Sequence, residues 1–312
     1  MQLRRPHPER DFEAVLALMQ ACDRSVYGES DWTEQELREE WESLDLDTSA
    51  WLAIDDGAVA GVMHLSEIRE GRLITDGYVH PDRAGRGAGT LLLEAVEARA
   101  RELEPDIAPG ERVYLESAHL FGDASAPALF ESRGFVPVRT FFRMVRRLRP
   151  PEPTPPLPAG HEFRPFDPDG DGPAVHAAFE EAFVTEWGHQ PLTYAEWVER
   201  KITSTRFDPA LIAVVWEDDE VAGLSFNYDK RMGDWGWIAN LAVRPAWRQR
   251  GLGHALLQES FRRFAERGET FVALGVDSEN PTGATRLYER AGMTVLWRAD
   301  VWQKELRPGV DR

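Results

Sequence analysis

Three landmarks recur in the same order about 160 residues apart, and that repeat limits what this 312-residue chain can fold into more than any other feature. Ala60-Gly61 returns as Ala222-Gly223, an offset of 162. Val79, Pro81, Gly85, Gly87 and Gly89 meet Val243, Pro245, Gln249, Gly251 and Gly253 at an offset of 164. Gly134-Phe135 matches Gly292-Met293 at 158. A period this long exceeds any solenoid unit, so each copy reads as a domain. Between the copies, residues 149–158 hold six prolines among ten residues. Proline fixes φ and lacks a backbone donor, so this segment reads as an extended, semi-rigid spacer. The predicted domains are 1–148 and 159–312, with a linker at 149–158.

Each copy repeats one run of patterns. A short strand and a helix open it: Leu3–Arg5 then Asp11–Cys22, and Glu162–Pro165 then Pro173–Phe183. Hairpins come second, Ala50–Ile54 with Val59–Leu65 and Leu211–Trp216 with Val221–Asn227, joined by polar turns. An apolar strand comes next, Leu73–Val79 or Trp237–Val243, then a Gly/Arg loop and an amphipathic helix. In the second copy Leu256, Leu257, Phe261 and Phe264 fall on one face of that helix. Phe271–Val276, a helix over Thr282–Arg290 and a final strand pair complete the copy. Hairpins ahead of a strand–helix–strand crossover predict a mixed sheet, hence an α/β fold of the α+β type.

The sharpest local signal spans Val243 to Leu257: a strand end, a loop with Arg244, Arg248 and Arg250, the glycines Gly251 and Gly253, and a helix start. Glycines admit close backbone approach, and free N–H groups at a helix start favour an anion by about 0.3–1 kcal/mol. The chain as a whole carries 54 acidic against 36 basic residues, a net charge of −18. A local +3 in such a chain suits a diphosphate. The same acidity argues against nucleic acid and anionic membranes as partners and is compatible with cationic or amine substrates. A dinucleotide fingerprint fails because Leu256 stands where its third glycine belongs, and no Gly-Lys-Ser/Thr is present. A purely structural glycine turn is the remaining alternative.

Arg248-Gln249-Arg250-Gly251-Leu252-Gly253 resembles the Arg/Gln-x-x-Gly-x-Gly/Ala loop of Gcn5-related N-acetyltransferases, the GNAT family. The run from Val276 through Asn280 to Tyr288 and Gly292-Met293 is similar to the family's next segment. The resemblance implies two tandem GNAT domains, each a twisted mixed sheet flanked by helices, with acetyl-CoA as co-substrate and no metal. It places the cofactor against Leu241, Ala242, Val243, Arg248, Gln249, Arg250, Gly251, Leu252, Gly253 and His254, with Asn280 on its arm. A backbone N–H near Leu241 would polarise the thioester carbonyl, and Tyr288 matches the family's general acid. By spacing alone Tyr288 reads as a core aromatic, which only the family match reverses, and Asn280 is also an ordinary helix-entry residue. Asp234, Glu186 and His189 are the candidates for the base that deprotonates the amine. Trp187, Trp197, Trp235 and Trp237 suit a substrate cleft and a core alike.

In the first copy the matching cofactor positions are Val79, Gly85, Arg86, Gly87, Ala88 and Gly89. Ala84 replaces the leading Arg, Phe130 stands opposite Tyr288, and Gly122 opposite Asn280. This copy therefore reads as degenerate: structural, substrate-shaping, or the holder of a second acetyl-CoA. A stronger C-terminal copy resembles the tandem arrangement of mycothiol synthases, although Trp237 occupies the position of their strand glutamate. The expected activity is acetyl transfer to a primary amine of an unidentified small molecule, with a cationic one compatible with the acidic chain. Mycothiol synthase activity, aminoglycoside-type antibiotic acetylation and non-catalytic acyl-CoA binding are the alternatives. The lone Cys22 and the polar N-terminus predict a cytoplasmic protein without disulfide or secretory signal, acting as a monomeric internal pseudo-dimer or a homodimer.

Overall fold

The structure, a computed structural model, describes residues 1–310 except 29, 31, 70, 121–124, 204–206 and 232–234. The first repeat runs β1 (Gln2–Arg4), α1 (Phe12–Tyr27), α2 (Glu34–Glu42), α3 (Leu46–Ser49), β2 (Ala50–Asp55), β3 (Ala58–Arg69), β4 (Arg72–Val79), α4 (Ala88–Leu103), β5 (Val113–Leu120), α5 (Ser125–Ser132) and β6 (Val136–Arg147). The second runs β7 (His161–Arg164), α6 (Pro168–Phe183), α7 (Tyr194–Lys201), β8 (Ala213–Glu217), β9 (Glu220–Arg231), β10 (Trp235–Val243), α8 (Leu252–Glu266), β11 (Phe271–Asp277), α9 (Ala284–Arg290) and β12 (Thr294–Arg307). Both predicted hairpins are present. Helices α2 and α7 were not anticipated, yet each starts with a capping box, Thr33 with Glu36 and Thr193 with Glu196. That Thr-x-x-Glu signal stood in the sequence.

Two compact units form, one from residues 1–140 with 298–312, the other from 141–297. The sheet order is β1-β2-β3-β4-β5-β12 in the first and β6-β11-β10-β9-β8-β7 in the second. Pairs β4–β5 and β10–β11 are parallel and the others described are antiparallel, giving the expected mixed sheets. Each repeat ends in one long strand, not the expected pair, and that strand serves the other repeat's sheet. Met144 of β6 lies opposite Leu274 of β11, and Trp302 of β12 opposite Ser117 of β5. The units thus divide the chain differently from the boundaries read in the sequence: 141–148 belongs to the second and 298–312 to the first. The proline-rich segment is pinned to the second unit, where buried Glu152 accepts from the Arg149 N–H (2.8 Å) and from Arg146 (3.0 Å).

The repeated Ala-Gly pair has a packing cause. A Cβ on Gly223 would stand 2.8 Å from the Ala242 carbonyl oxygen and 3.0 Å from Leu256 of α8. Gly61 is confined alike, 2.8 Å from Leu92 of α4 and 2.9 Å from the Tyr78 carbonyl. The absent side chain lets each helix settle on its sheet. Leu257, Phe261 and Phe264 then bury against Ile238, Leu274 and Val276, each such side chain contributing about 1.5–3 kcal/mol.

Candidate active site

In the second unit β10 pairs with β11 only from Trp235 to Ile238, then the two strands part. At the point of parting the register against β9 shifts by one residue, from Ile238↔Asn227 to Asn240↔Phe226, leaving Ala239 as a bulge. A bulge bends its strand and re-aims the residues past it. Further along, Arg244 N–H donates to the Ala222 carbonyl at 3.1 Å. Antiparallel alternation then turns the main-chain groups of Ala242 toward β9 and those of Leu241 and Val243 away from it. Leu241 and Val243 face a cleft of about 1030 Å³ opened between β10 and β11.

The glycine loop closes one end of this cleft. Gln249 has φ 63° and Gly251 φ 88°, both left-handed. Gly251 caps α8 and offers no side chain to its first turn, so the N–H groups of Leu252, Gly253 and His254 have no helical partner. The three loop arginines, however, do not supply the +3 expected of them. Arg244 pairs with Glu181 (2.6 Å) and Glu220 (3.4 Å), and Arg250 lies 3.8 Å from Glu217. Arg248 is a clamp, its Nε on the Val243 carbonyl and its Nη2 on the Ala182 carbonyl, each at 3.0 Å. Carboxylates distant in sequence neutralise the loop, a fact its own residues do not reveal. Main-chain N–H groups are therefore the loop's means of holding an anion.

Tyr288, buried on α9, lines the cleft, and its hydroxyl has no hydrogen-bond partner among the described residues. Burial, and then the Glu186 carboxylate, push its phenol pKa well above the ordinary value. Glu186, from the loop after α6, lines the same cleft and accepts from Asn280 Nδ2 at 3.0 and 3.1 Å. The structure thus brings Tyr288, Glu186 and Asn280 together. His189 is outside the cleft, bonded to Glu180 at 2.9 Å, and serves to pin the Glu186 loop. Asp234 lies outside the described residues. Of the four tryptophans Trp187 alone lines the cleft, 6.0 Å from Phe141, while Trp197 is core. Trp235 stacks on Phe271, and Trp237 lies under the Arg143 guanidinium. Phe141, from the exchanged strand β6, and Arg286 and Arg290 of α9 also line the cleft and were not anticipated.

The first unit keeps the loop and loses the chemistry around it. Gly85 and Gly87 have φ 75° and 92°, Ala88 and Gly89 begin α4, and Arg86 pairs with Asp55 at 3.3 Å. The Val79 carbonyl accepts from the Cys22 thiol (3.2 Å), where Val243 has Arg248. Phe130 packs between Phe135 (5.3 Å) and Trp302 (5.7 Å). Gly122 lies outside the described residues. Among the described residues no cluster of His, Cys, Asp and Glu is arranged to hold a metal, and no helix is long and apolar enough to cross a membrane.

Splayed, mixed sheets in tandem, each with a glycine loop heading a helix at the splay, define a tandem acyltransferase fold. The chain belongs to the acetyltransferase (GNAT) family, whose profile matches residues 12–135 and again 173–293. It is 33% identical over 301 residues to the mycothiol acetyltransferase of Thermobispora bispora, covering 93% of this chain and 95% of that protein. The mycothiol acetyltransferase of Nocardiopsis dassonvillei is 28% identical, with 93% and 91% covered. A crystal structure of a GCN5-related N-acetyltransferase from Sphaerobacter thermophilus superposes with a TM-score of 0.90 at 35% identity, over 100% of this chain and 97% of that one. A tandem GNAT protein from the clavulanic acid biosynthesis pathway shares the fold at a TM-score of 0.74 and 17% identity, over 99% of both chains. The chain is thus an acyltransferase of a family that uses acetyl-CoA.

Proposed function

We propose that the second unit transfers the acetyl group of acetyl-CoA directly to a primary amine of a small molecule, while the first unit keeps the fold without the catalytic groups. The observation that carries this reading is the meeting of three features in one cleft: outward-turned Leu241 and Val243, the unfilled α8 N-terminus, and buried Tyr288. The diphosphate sits on the N–H groups of Gly251 to His254, and Asn280 holds the pantetheine arm. The Leu241 N–H donates to the thioester carbonyl as it becomes an oxyanion. Glu186 takes the proton of the incoming ammonium, which then attacks as the free amine. As the new C–N bond forms the C–S bond breaks, the Tyr288 hydroxyl donates to the departing thiolate, and the surplus proton on the amide nitrogen returns to the Tyr288 phenolate. A phenol held above its usual pKa is fully protonated at neutral pH, as that role requires.

Similarity to mycothiol acetyltransferases along nearly the whole chain favours a mycothiol-related amine as the particular acceptor. Trp237, in place of the strand glutamate, would then leave deprotonation to Glu186. The test is Tyr288→Phe, assayed over an amine panel that includes the cysteinyl glucosaminyl-inositol. Turnover should fall about 10²-fold or more, with acetyl-CoA affinity within about threefold of the parent. Unchanged turnover removes Tyr288 from the reaction.

A further inference from the structure

We propose that Arg286 and Arg290 of α9 seat the 3′-phosphate monoester of coenzyme A, so that the second unit selects the 3′-phosphorylated donor. The inference rests on the acetyl-CoA reading above and adds a recognition element to it. Coenzyme A brings two kinds of anion: a diphosphate, and a monoester whose second pKa near ~6 makes it almost a dianion at neutral pH. The helix start supplies N–H groups for the first. The second calls for mobile cations, and Arg244, Arg248 and Arg250 are already committed to Glu181, Glu217, Glu220 and main-chain carbonyls.

Arg286 and Arg290 are exposed, line the cleft, and form no ion pair or hydrogen bond with any described residue. Four residues apart, they share one face of α9. Their place relative to the loop is set by a close approach: a Cβ on Gly253 would stand 3.3 Å from Leu287 Cδ2. The first turn of α8 therefore packs on α9 at the residue after Arg286 and one turn before Arg290. The two guanidiniums flank the phosphate end of the cleft, where their planar donors match phosphate oxygens. The first unit repeats the packing without the charges. There a Cβ on Gly89 would meet Leu129 at 3.1 Å, but Ala128 and Ser132 stand where α9 has its arginines.

Calorimetric titration of the full chain with coenzyme A and with 3′-dephospho-coenzyme A tests this, in the parent and in Arg286→Ala/Arg290→Ala. The parent should prefer coenzyme A about tenfold, for two charge-assisted contacts at a partly exposed site. The double variant should bind both ligands at the parent's dephospho level, which also shows that the cleft is intact. The preference should shrink below pH ~6 as the monoester takes up a proton. A parent that binds both ligands alike overturns the proposal, as does a variant weakened equally for both. A parent that binds neither ligand overturns the acetyl-CoA reading as well.

Discussion

In the second unit β10 holds one residue more than β9 can pair, at Ala239; in the first, β4 pairs with β3 from Leu73 to Val79 without such a shift. Both strands leave their parallel neighbour at this level, β10 after Ile238 and β4 after Ile74. What differs is the filling of the space beyond. The second unit has Met144 opposite Leu274, and Tyr288 with its hydroxyl at the cleft. The first has Trp302 opposite Ser117, with its indole against Phe130 and its Nε1 donating to His119 at 3.0 Å. The glycine loop persists in both because its backbone shape closes the strand–helix turn whether or not anything binds there. A recurring loop therefore marks the fold, and the residues facing it mark the chemistry.

Paired substitutions at the two helix caps break this comparison most sharply. Gly251 and Gly87 have φ 88° and 92°, and a Cβ on either would meet no protein atom within 4 Å. Valine at either site stores about 1–3 kcal/mol of backbone strain. At position 251 its branches also occupy the space in front of the α8 N–H groups. Gly251→Val should lower acetyl-CoA affinity more than about 30-fold, whereas Gly87→Val should lower the melting temperature and leave calorimetric binding untouched. Equal losses from the two would make the first unit a cofactor holder.

The sequence was most legible where an atom had to be missing. Gly61, Gly223, Gly87 and Gly251 announce close packing or positive φ, and such glycines align the repeats. Strand exchange was not legible, because β6 and β12 present similar patterns and an open sheet edge accepts either. The loop charge was misread for a related reason: Glu181, Glu217 and Glu220 are near in space and far in sequence. The Ala239 bulge has no residue signature at all. Tyr288 was found through family likeness, since its spacing also fits a core aromatic.

The two units differ again in the half-buried acids on the α1–α2 side of the first sheet. Glu40 of α2 lies 3.3 Å from His64, which is paired across β3–β4 with Asp76, and Tyr78 completes the group. At the register corresponding to Asp76, the second unit has Asn240, neutral and bonded to Lys201 at 2.8 Å. Burial first, and Asp76 second, raise the Glu40 pKa from 4.5 to about 7, while burial lowers that of His64. Because the fold binds the Glu40 proton more tightly than the unfolded chain does, its contribution is complete below pH 4.5 and is lost as pH rises through about 7. The loss amounts to roughly 3 kcal/mol. Glu40→Gln should raise the unfolding midpoint of the first unit at pH 8 and change it little at pH 5. An equal gain at both values would mean that Glu40 does not titrate in this range.

The smallest effect lies at a position where the copies exchange a glycine for a side chain. Gln249 holds φ 63° where its counterpart Gly85 holds 75°. An L-residue there costs about 1–2 kcal/mol relative to glycine, partly offset because glycine has more freedom to lose on folding. Gln249→Gly should therefore stabilise the second unit by about 0.5–1 kcal/mol in chemical denaturation. Acetyl-CoA affinity should hold if the loop binds through main-chain N–H groups alone, since the substitution leaves every donor in place. A loss of affinity would instead assign the Gln249 amide a contact with the ligand, and the absence of that amide at Gly85 would join Phe130 and Trp302 in separating a working cleft from a closed one.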